Sequence, residues 1–441
     1  MSRAVETSAV VAALLVLTTA ARADDGGWPS FAQTLGTQLR ALEARFDEGA
    51  GGLPPWLGRF RISGNGDFAY LNGDRHSPAP GGRFLVDNSR LFLDSELVDG
   101  LRLGEWPLAS DASFFVEWDA ARDGEVLNTV GSFYLRLDHV LGLDPLNVKI
   151  GRVLIPFGEE YPRFSEQRPE NPLISFSAAA PYGWDNGILF FGSSPWRSLQ
   201  YVAGVMVGDT GFHVNTSRET QLDAKLVWQP VGWAHLSVSG LWTGKLGTHD
   251  EGGEAALEFG ETEIRPFGSE TDVTSFQNGA PITADPNQSV TMTAGESDLI
   301  VTAGDWGRLW LGFGRVAIRS GGSAAYDRDL SYGIAEGVFG LGRVARSLRR
   351  FYVAGRYSVI GTFDADEGYL IDPFNGGEEL GFNTKSVSVV SLGVGWRATS
   401  FLTLKTEYSW YDFTLVRGVP SDLHAEAGGR NYLGVGASVH F

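Results

Sequence analysis

The chain contains no cysteine and only three methionines in 441 residues. Disulfides and thiolate metal sites are therefore excluded, in any redox compartment. It also lacks a run of about twenty apolar residues, which excludes a membrane-spanning helix. Basic residues are outnumbered, 35 against 53, and the net charge of −18 argues against nucleic acid as a partner. The seven histidines are scattered and no G-x-S-x-G occurs, so no nucleophile–base set announces an enzyme. "GFGRVA" (312–317) and "GLGRVA" (340–345) look nucleotide-like, but the helix that a phosphate site needs does not follow them.

What the sequence has in quantity is glycine, 58 residues, and aromatics, 12 %. Mean hydropathy is only −0.08, as expected where polar and apolar residues alternate. The last segment, "RNYLGVGASVHF", shows the pattern: Leu433, Val435, Ala437 and Val439 alternate with Tyr432, Gly434, Gly436, Ser438 and His440. That is a strand with one apolar and one polar face. Sixteen such segments are predicted, at 59–71, 83–98, 111–121, 130–138, 146–154, 186–193, 198–208, 220–229, 233–245, 297–304, 308–318, 330–341, 351–361, 386–397, 401–412 and 430–441. Most reach the nine to eleven residues or so that a tilted strand needs to cross a bilayer. Residues 255–265 also alternate, and a further hairpin there would make eighteen.

Short connections ("LGLDP", "SPWR", "PVG", "DWG", "ATS") alternate with long ones at 155–185, 246–296, 319–329, 362–385 and 413–429. Short turns at one end and long loops at the other mark an outer-membrane barrel. The expected fold is thus all-β, a 16-stranded antiparallel transmembrane barrel over residues 59–441. Trp196, Trp228, Trp233, Trp306, Tyr352 and Tyr432 are expected in its interfacial girdles. Residues 1–23 carry Arg3, an apolar stretch and Ala21-Arg22-Ala23, the pattern of a cleaved export leader. Residues 24–58 hold the only helical periodicity, with Phe31, Leu35, Leu39, Leu42 and Phe46 on one stripe. A short periplasmic helix and linker are expected there, either packed on the protein itself or helping subunits associate. Phe441, an aromatic after alternating apolar residues, is expected to act as a signal to the barrel assembly machinery.

The stretch "VKIGRVLIPFGEEY" holds Lys149, Gly151-Arg152, Pro156-Phe157-Gly158 and Glu159-Glu160. It resembles the phosphate-selective porin O/P family, in which a similar motif closes the strand before the third external loop. The resemblance implies a trimeric sixteen-stranded channel in the outer membrane of a Gram-negative-type bacterium, surrounded by lipid and lipopolysaccharide. Leu154 stands where that family usually has a second lysine, which weakens phosphate selectivity as an inference. The loop 155–185 contains five prolines, and a stiffened loop of this length is expected to fold into the bore and set its width.

Alternation points Arg90, Arg136, Lys149, Lys225, Lys245, Arg356, Arg397 and Lys405 into the lumen, together with Asp94, Glu96, Glu117, Asp119, Asp138, Asp223, Asp298 and Glu407. The constriction loop adds Arg163 and Arg168 against five acids. A wall so balanced does not concentrate anions. The function expected is passive diffusion of small hydrophilic solutes and ions through a water-filled channel, with weak or slightly cationic preference and no cofactor or metal. The alternatives are an anion (phosphate) channel and, behind it, a barrel hydrolase or an adhesin. The acidic run in 246–296 reads as solvated surface charge.

Overall fold

The structure is a computed structural model that describes residues 59–73, 81–103, 105–122, 125–160, 162, 171–194, 198–208, 220–244, 246–247, 289–320, 327–362, 384–418 and 430–441. The predicted leader, the N-terminal helix, the candidate segment 255–265 and Trp196 lie outside the described residues.

Sixteen strands cross in sequence order: β1 (Phe60–Gly73), β2 (Arg83–Leu103), β3 (Trp106–Arg122), β4 (Glu125–Asp138), β5 (Asn147–Leu154), β6 (Trp184–Ser193), β7 (Leu199–Met206), β8 (Gln221–Val231), β9 (Ala234–Thr243), β10 (Ser289–Thr302), β11 (Gly307–Ser320), β12 (Arg328–Gly340), β13 (Phe351–Gly361), β14 (Thr384–Arg397), β15 (Leu402–Leu415) and β16 (Arg430–His440). A two-residue piece, Leu246–Gly247, extends β9 along β10. Every neighbouring pair is antiparallel, and β16 pairs with β1 from Tyr432↔Gly73 to His440↔Asn65, so the sheet closes. Closure removes every free edge. The seam ends on two backbone bonds, Gly64 N to Phe441 O (3.0 Å) and Phe441 N to Gly64 O (2.9 Å). β9 and β10 pair directly, Leu299 opposite Leu236, so the described sheet closes at sixteen.

Strand positions follow the predicted alternation, but several strands are longer than predicted: β2 runs on to Leu103, β3 starts at Trp106 and β10 at Ser289. β3 and β4 continue until Arg122 lies opposite Glu125, where the sequence alone suggested a longer connection. Asp123-Gly124 between them is a dipeptide that favours two-residue hairpins.

Forty-two large hydrophobic side chains are exposed among the described residues, Leu226, Phe313, Leu392, Leu433 and Val435 among them. No soluble monomer carries an apolar surface on this scale. The belt is satisfied by lipid, and polar groups occupy the inner face, the division that defines an outer-membrane barrel. Trp228, Trp233 and Trp306 stand exposed near strand ends, as expected of the girdle, and Trp106 joins them. Tyr352 and Tyr432 do not. Both are buried and turned inward, because they share parity with the lumen-facing residues of their strands and find hydrogen-bond partners there.

Candidate functional site

The described parts of the connection between β5 and β6, residues 155–160 and 171–183, fold inside the barrel. The loop's entry is set by the motif of the fifth strand. Gly151 has φ +136°, and a Cβ there would lie 2.3 Å from Phe133 O, so only glycine fits against β4. Gly158 has φ +61° and packs on the Glu296 carboxylate, where a Cβ would approach to 2.7 Å. Between them Ile155 and Phe157 turn into an apolar cluster with Ala178, Ala179 and inward residues of the wall, such as Leu71, Ile318 and Val389.

On the near side the loop is held by β8 and β9. Gly158 N donates to Ser239 Oγ (2.9 Å), and the Lys225 ammonium donates to Gly158 O. Glu159 lies 2.8 Å from Lys225 Nζ and 3.0 Å from His235 Nε2. Burial resists ionisation of Glu159, but contact with His235 and Lys225 outweighs it and holds the carboxyl down to about 2. Burial pushes the neighbouring Glu160 up, against the pull of Arg356. Glu160 accepts from Ser177 N (2.6 Å) and from the Ser177 hydroxyl, which ties the two arms of the loop together.

The returning arm reaches the opposite wall. Glu407 on β15 accepts from Ser175 Oγ (2.5 Å), Ser175 N (3.0 Å) and Ile174 N, and also from Ser409 Oγ (2.6 Å) and the Tyr432 hydroxyl (2.8 Å). Arg356 on β13 donates to Ser175 O (2.6 Å) and Asn171 Oδ1 (3.0 Å), while Glu336 on β12 pairs with it at 2.6 Å. Lys405 Nζ donates to Leu173 O (3.0 Å), the Tyr352 hydroxyl to Pro172 O (3.0 Å), and Ala178 N to Ser358 Oγ (2.9 Å). Phe176, Tyr182 and Trp184 pack with Trp310 and Ile334. These charge-assisted bonds are short and buried, the kind that fixes geometry.

The site residues predicted from sequence fall into three groups. Lys225, Arg356 and Lys405 touch the loop directly. Glu117 and Asp119 both face Arg90, at 3.4 and 2.8 Å, and Glu117 accepts from Trp184 Nε1 (3.3 Å) where the loop rejoins β6. Lys149, Arg136 and Arg397 sit on aromatic rings of the inner wall instead. Lys149 Nζ is 4.4 Å from the Tyr134 ring, Arg136 lies over Phe191, and Arg397 over Tyr352. Arg163, Arg168 and Lys245 lie outside the described residues.

Several members escaped the sequence reading. Glu336 shares parity with Tyr332 and Ile334, so alternation along β12 could have found it. Glu296 escaped because β10 begins at Ser289 rather than at the predicted residue 297. Glu160 had no signal beyond its motif. Among the described residues the buried charged side chains are Glu117, Asp119, Glu159, Glu160, Asp185, Asp223, Glu296, Asp298, Glu336 and Glu407 against Arg90, Lys225, Arg328, Arg356 and Lys405, ten acids to five bases. This buried set is richer in acids than in bases, and it is a different set from the eight acids and eight bases that alternation points into the lumen.

Ser110 Oγ meets His139 Nδ1 at 2.8 Å on the short-turn rim, but Asp111 bonds the serine (2.7 Å) rather than the imidazole. That is not the order of a proton relay. Among the described residues no group of three or more His, Cys, Asp or Glu could hold a metal ion.

No family model matches the chain, and no curated protein sequence does. Solved structures do. OmpT of Vibrio cholerae with loop L8 deleted, an outer membrane protein, superimposes with a TM-score of 0.51 at 13% identity, over 87% of this chain and 99% of that one. A trimer form of in-vitro folded OmpT gives 0.50 at 12% identity, over 87% and 99% of the two chains. The outer membrane channel DcaP of Acinetobacter baumannii gives 0.50 at 12% identity, over 87% and 97%. At these identities the likeness is one of fold.

Proposed function

We propose that this chain is an outer-membrane porin: a channel for passive diffusion of small hydrophilic solutes and ions, narrowed by the loop 155–183. The observation that carries the reading is the loop itself, anchored on both walls of a sixteen-stranded barrel by Lys225–Glu159 at one side and Arg356 and Glu407 at the other. A barrel of this size encloses a bore too wide for wall side chains alone to fill. A loop held across it sets the dimension of what passes.

The acidic excess supports a weak preference for cations over anions. Phosphate selectivity, the function implied by the motif resemblance, finds less support. Lys149 rests on Tyr134, and Arg90, Lys225, Arg356 and Lys405 are each engaged with a carboxylate or a loop carbonyl. A catalytic role has no observation in its favour. The trimeric form of one structural neighbour supports a homotrimer here as well. Export by residues 1–23 and insertion by the barrel assembly machinery, with Phe441 as its signal, complete the proposal.

Liposome swelling with neutral sugars of graded size tests it. The purified, refolded chain should admit small sugars and exclude larger ones. Lipid vesicles that stay impermeable to every sugar and ion would refute the porin reading.

A further inference from the structure

The connection between β12 and β13, residues 341–350, reads LGRVARSLRR and forms two short 3₁₀ turns, Leu341–Gly342–Arg343 and Arg346–Ser347–Leu348. It gathers Arg343, Arg346, Arg349 and Arg350, all exposed, in a chain of net charge −18. The adjoining turns 303–306 and 398–401 bring one acidic residue, Asp305. Arg350 donates to Ala398 O (2.8 Å), and the described ion pairs include neither Arg346 nor Arg349. The strip is also apolar toward the outside. Arg343 lies 5.8 Å over the Trp306 ring, Trp306 contacts Phe339 at 6.1 Å, and Phe351 stacks on Trp396 at 5.8 Å. Phe339 shares the outward face with the lipid belt, and Val344, between the arginines, is 68% exposed. Guanidinium groups directly above an aromatic girdle match a surface of phosphates directly above acyl chains.

We propose that this turn and its aromatic neighbours bind the headgroups of anionic phospholipid in the periplasmic leaflet of the outer membrane. The proposal rests on the barrel's being an outer-membrane channel with its short turns in the periplasm. The occupant is lipid rather than an acidic polymer because the turn's arginines stand beside an exposed aromatic and apolar strip, with Arg343 over Trp306 and Val344 exposed, that is continuous with the lipid belt.

The test is the relative association of spin-labelled phosphatidylglycerol and phosphatidylcholine with the folded full chain, reconstituted in phosphatidylcholine bilayers and read by electron spin resonance. Wild type should prefer phosphatidylglycerol, and added salt should weaken the preference. The double variant Arg346→Gln, Arg349→Gln should lose about fivefold in relative affinity per arginine. Arg319→Gln, at the opposite rim beside Asp329, should change nothing. Equal association of the two lipids with a wild-type barrel that conducts overturns the proposal while leaving the porin reading intact. An undiminished preference in the double variant overturns it too, as does a preference lost equally in Arg319→Gln. A chain that neither inserts nor conducts overturns both.

Discussion

Replacing Glu407 by alanine should loosen the loop and widen the channel. Three loop donors, Ile174 N, Ser175 N and Ser175 Oγ, converge on this one carboxylate. A hydrogen bond to a charged acceptor is worth about 1.5–3 kcal/mol net, so the gross loss is roughly 5–9 kcal/mol. Water entering from the bore recovers part of that, and Arg356, Lys405 and Tyr352 still hold Asn171 to Ser175 from β13 and β15. A residual loss of about 3 kcal/mol shifts the equilibrium between held and released loop roughly a hundredfold. Single-channel recording in planar bilayers should then show a larger mean conductance with added current noise. Liposome swelling should show a higher exclusion limit. The wall remains, because Glu407 makes no backbone ladder bond with its side chain and β15 keeps its pairing with β14 and β16. A folded Glu407→Ala channel with wild-type conductance and exclusion limit would refute the idea that the loop sets the bore.

Other outcomes follow from the same contacts. Glu117→Gln with Asp119→Asn removes the two carboxylates that face Arg90 and should move the zero-current potential in a salt gradient measurably toward anions. Glu159 should keep its grip as pH falls. Its carboxyl is held at about 2 against an ordinary 4.5, so the stabilisation by His235 and Lys225 is fully present above about 4.5 and is lost only as pH drops through about 2. Conductance measured from pH 7 to pH 5 should show no loop release in wild type, whereas Lys225→Met should release it at neutral pH. Deleting Phe441 removes two backbone bonds to Gly64 at the seam and should lower the yield of heat-modifiable folded barrel; wild-type yield would count against any role in assembly.

The strands were legible because lipid and lumen impose opposite demands on successive residues. Leu433 and Val435 could not share a face with Tyr432 and Ser438. Lys225, Arg356 and Lys405 were legible as lumen residues for the same reason. Their partners were not, since Glu407 meets Ser175 across 232 positions of sequence and no periodicity encodes that meeting. The five prolines of 155–185 imply a stiff loop, but its inward fold brings Gly158 against Glu296, on a strand that begins at Ser289, ahead of the alternation from residue 297. Residue type alone places Tyr352 and Tyr432 in a girdle, but strand parity turns both inward, where they are buried, and parity is the stronger constraint.

The porin reading is tested most directly by the zero-current potential of the reconstituted wild-type chain across a potassium chloride gradient, recorded with its single-channel current. Discrete open channels with a modest potential of cation-selective sign are expected. Absence of conductance, or a strongly chloride-selective potential with current blocked by micromolar phosphate, would contradict it.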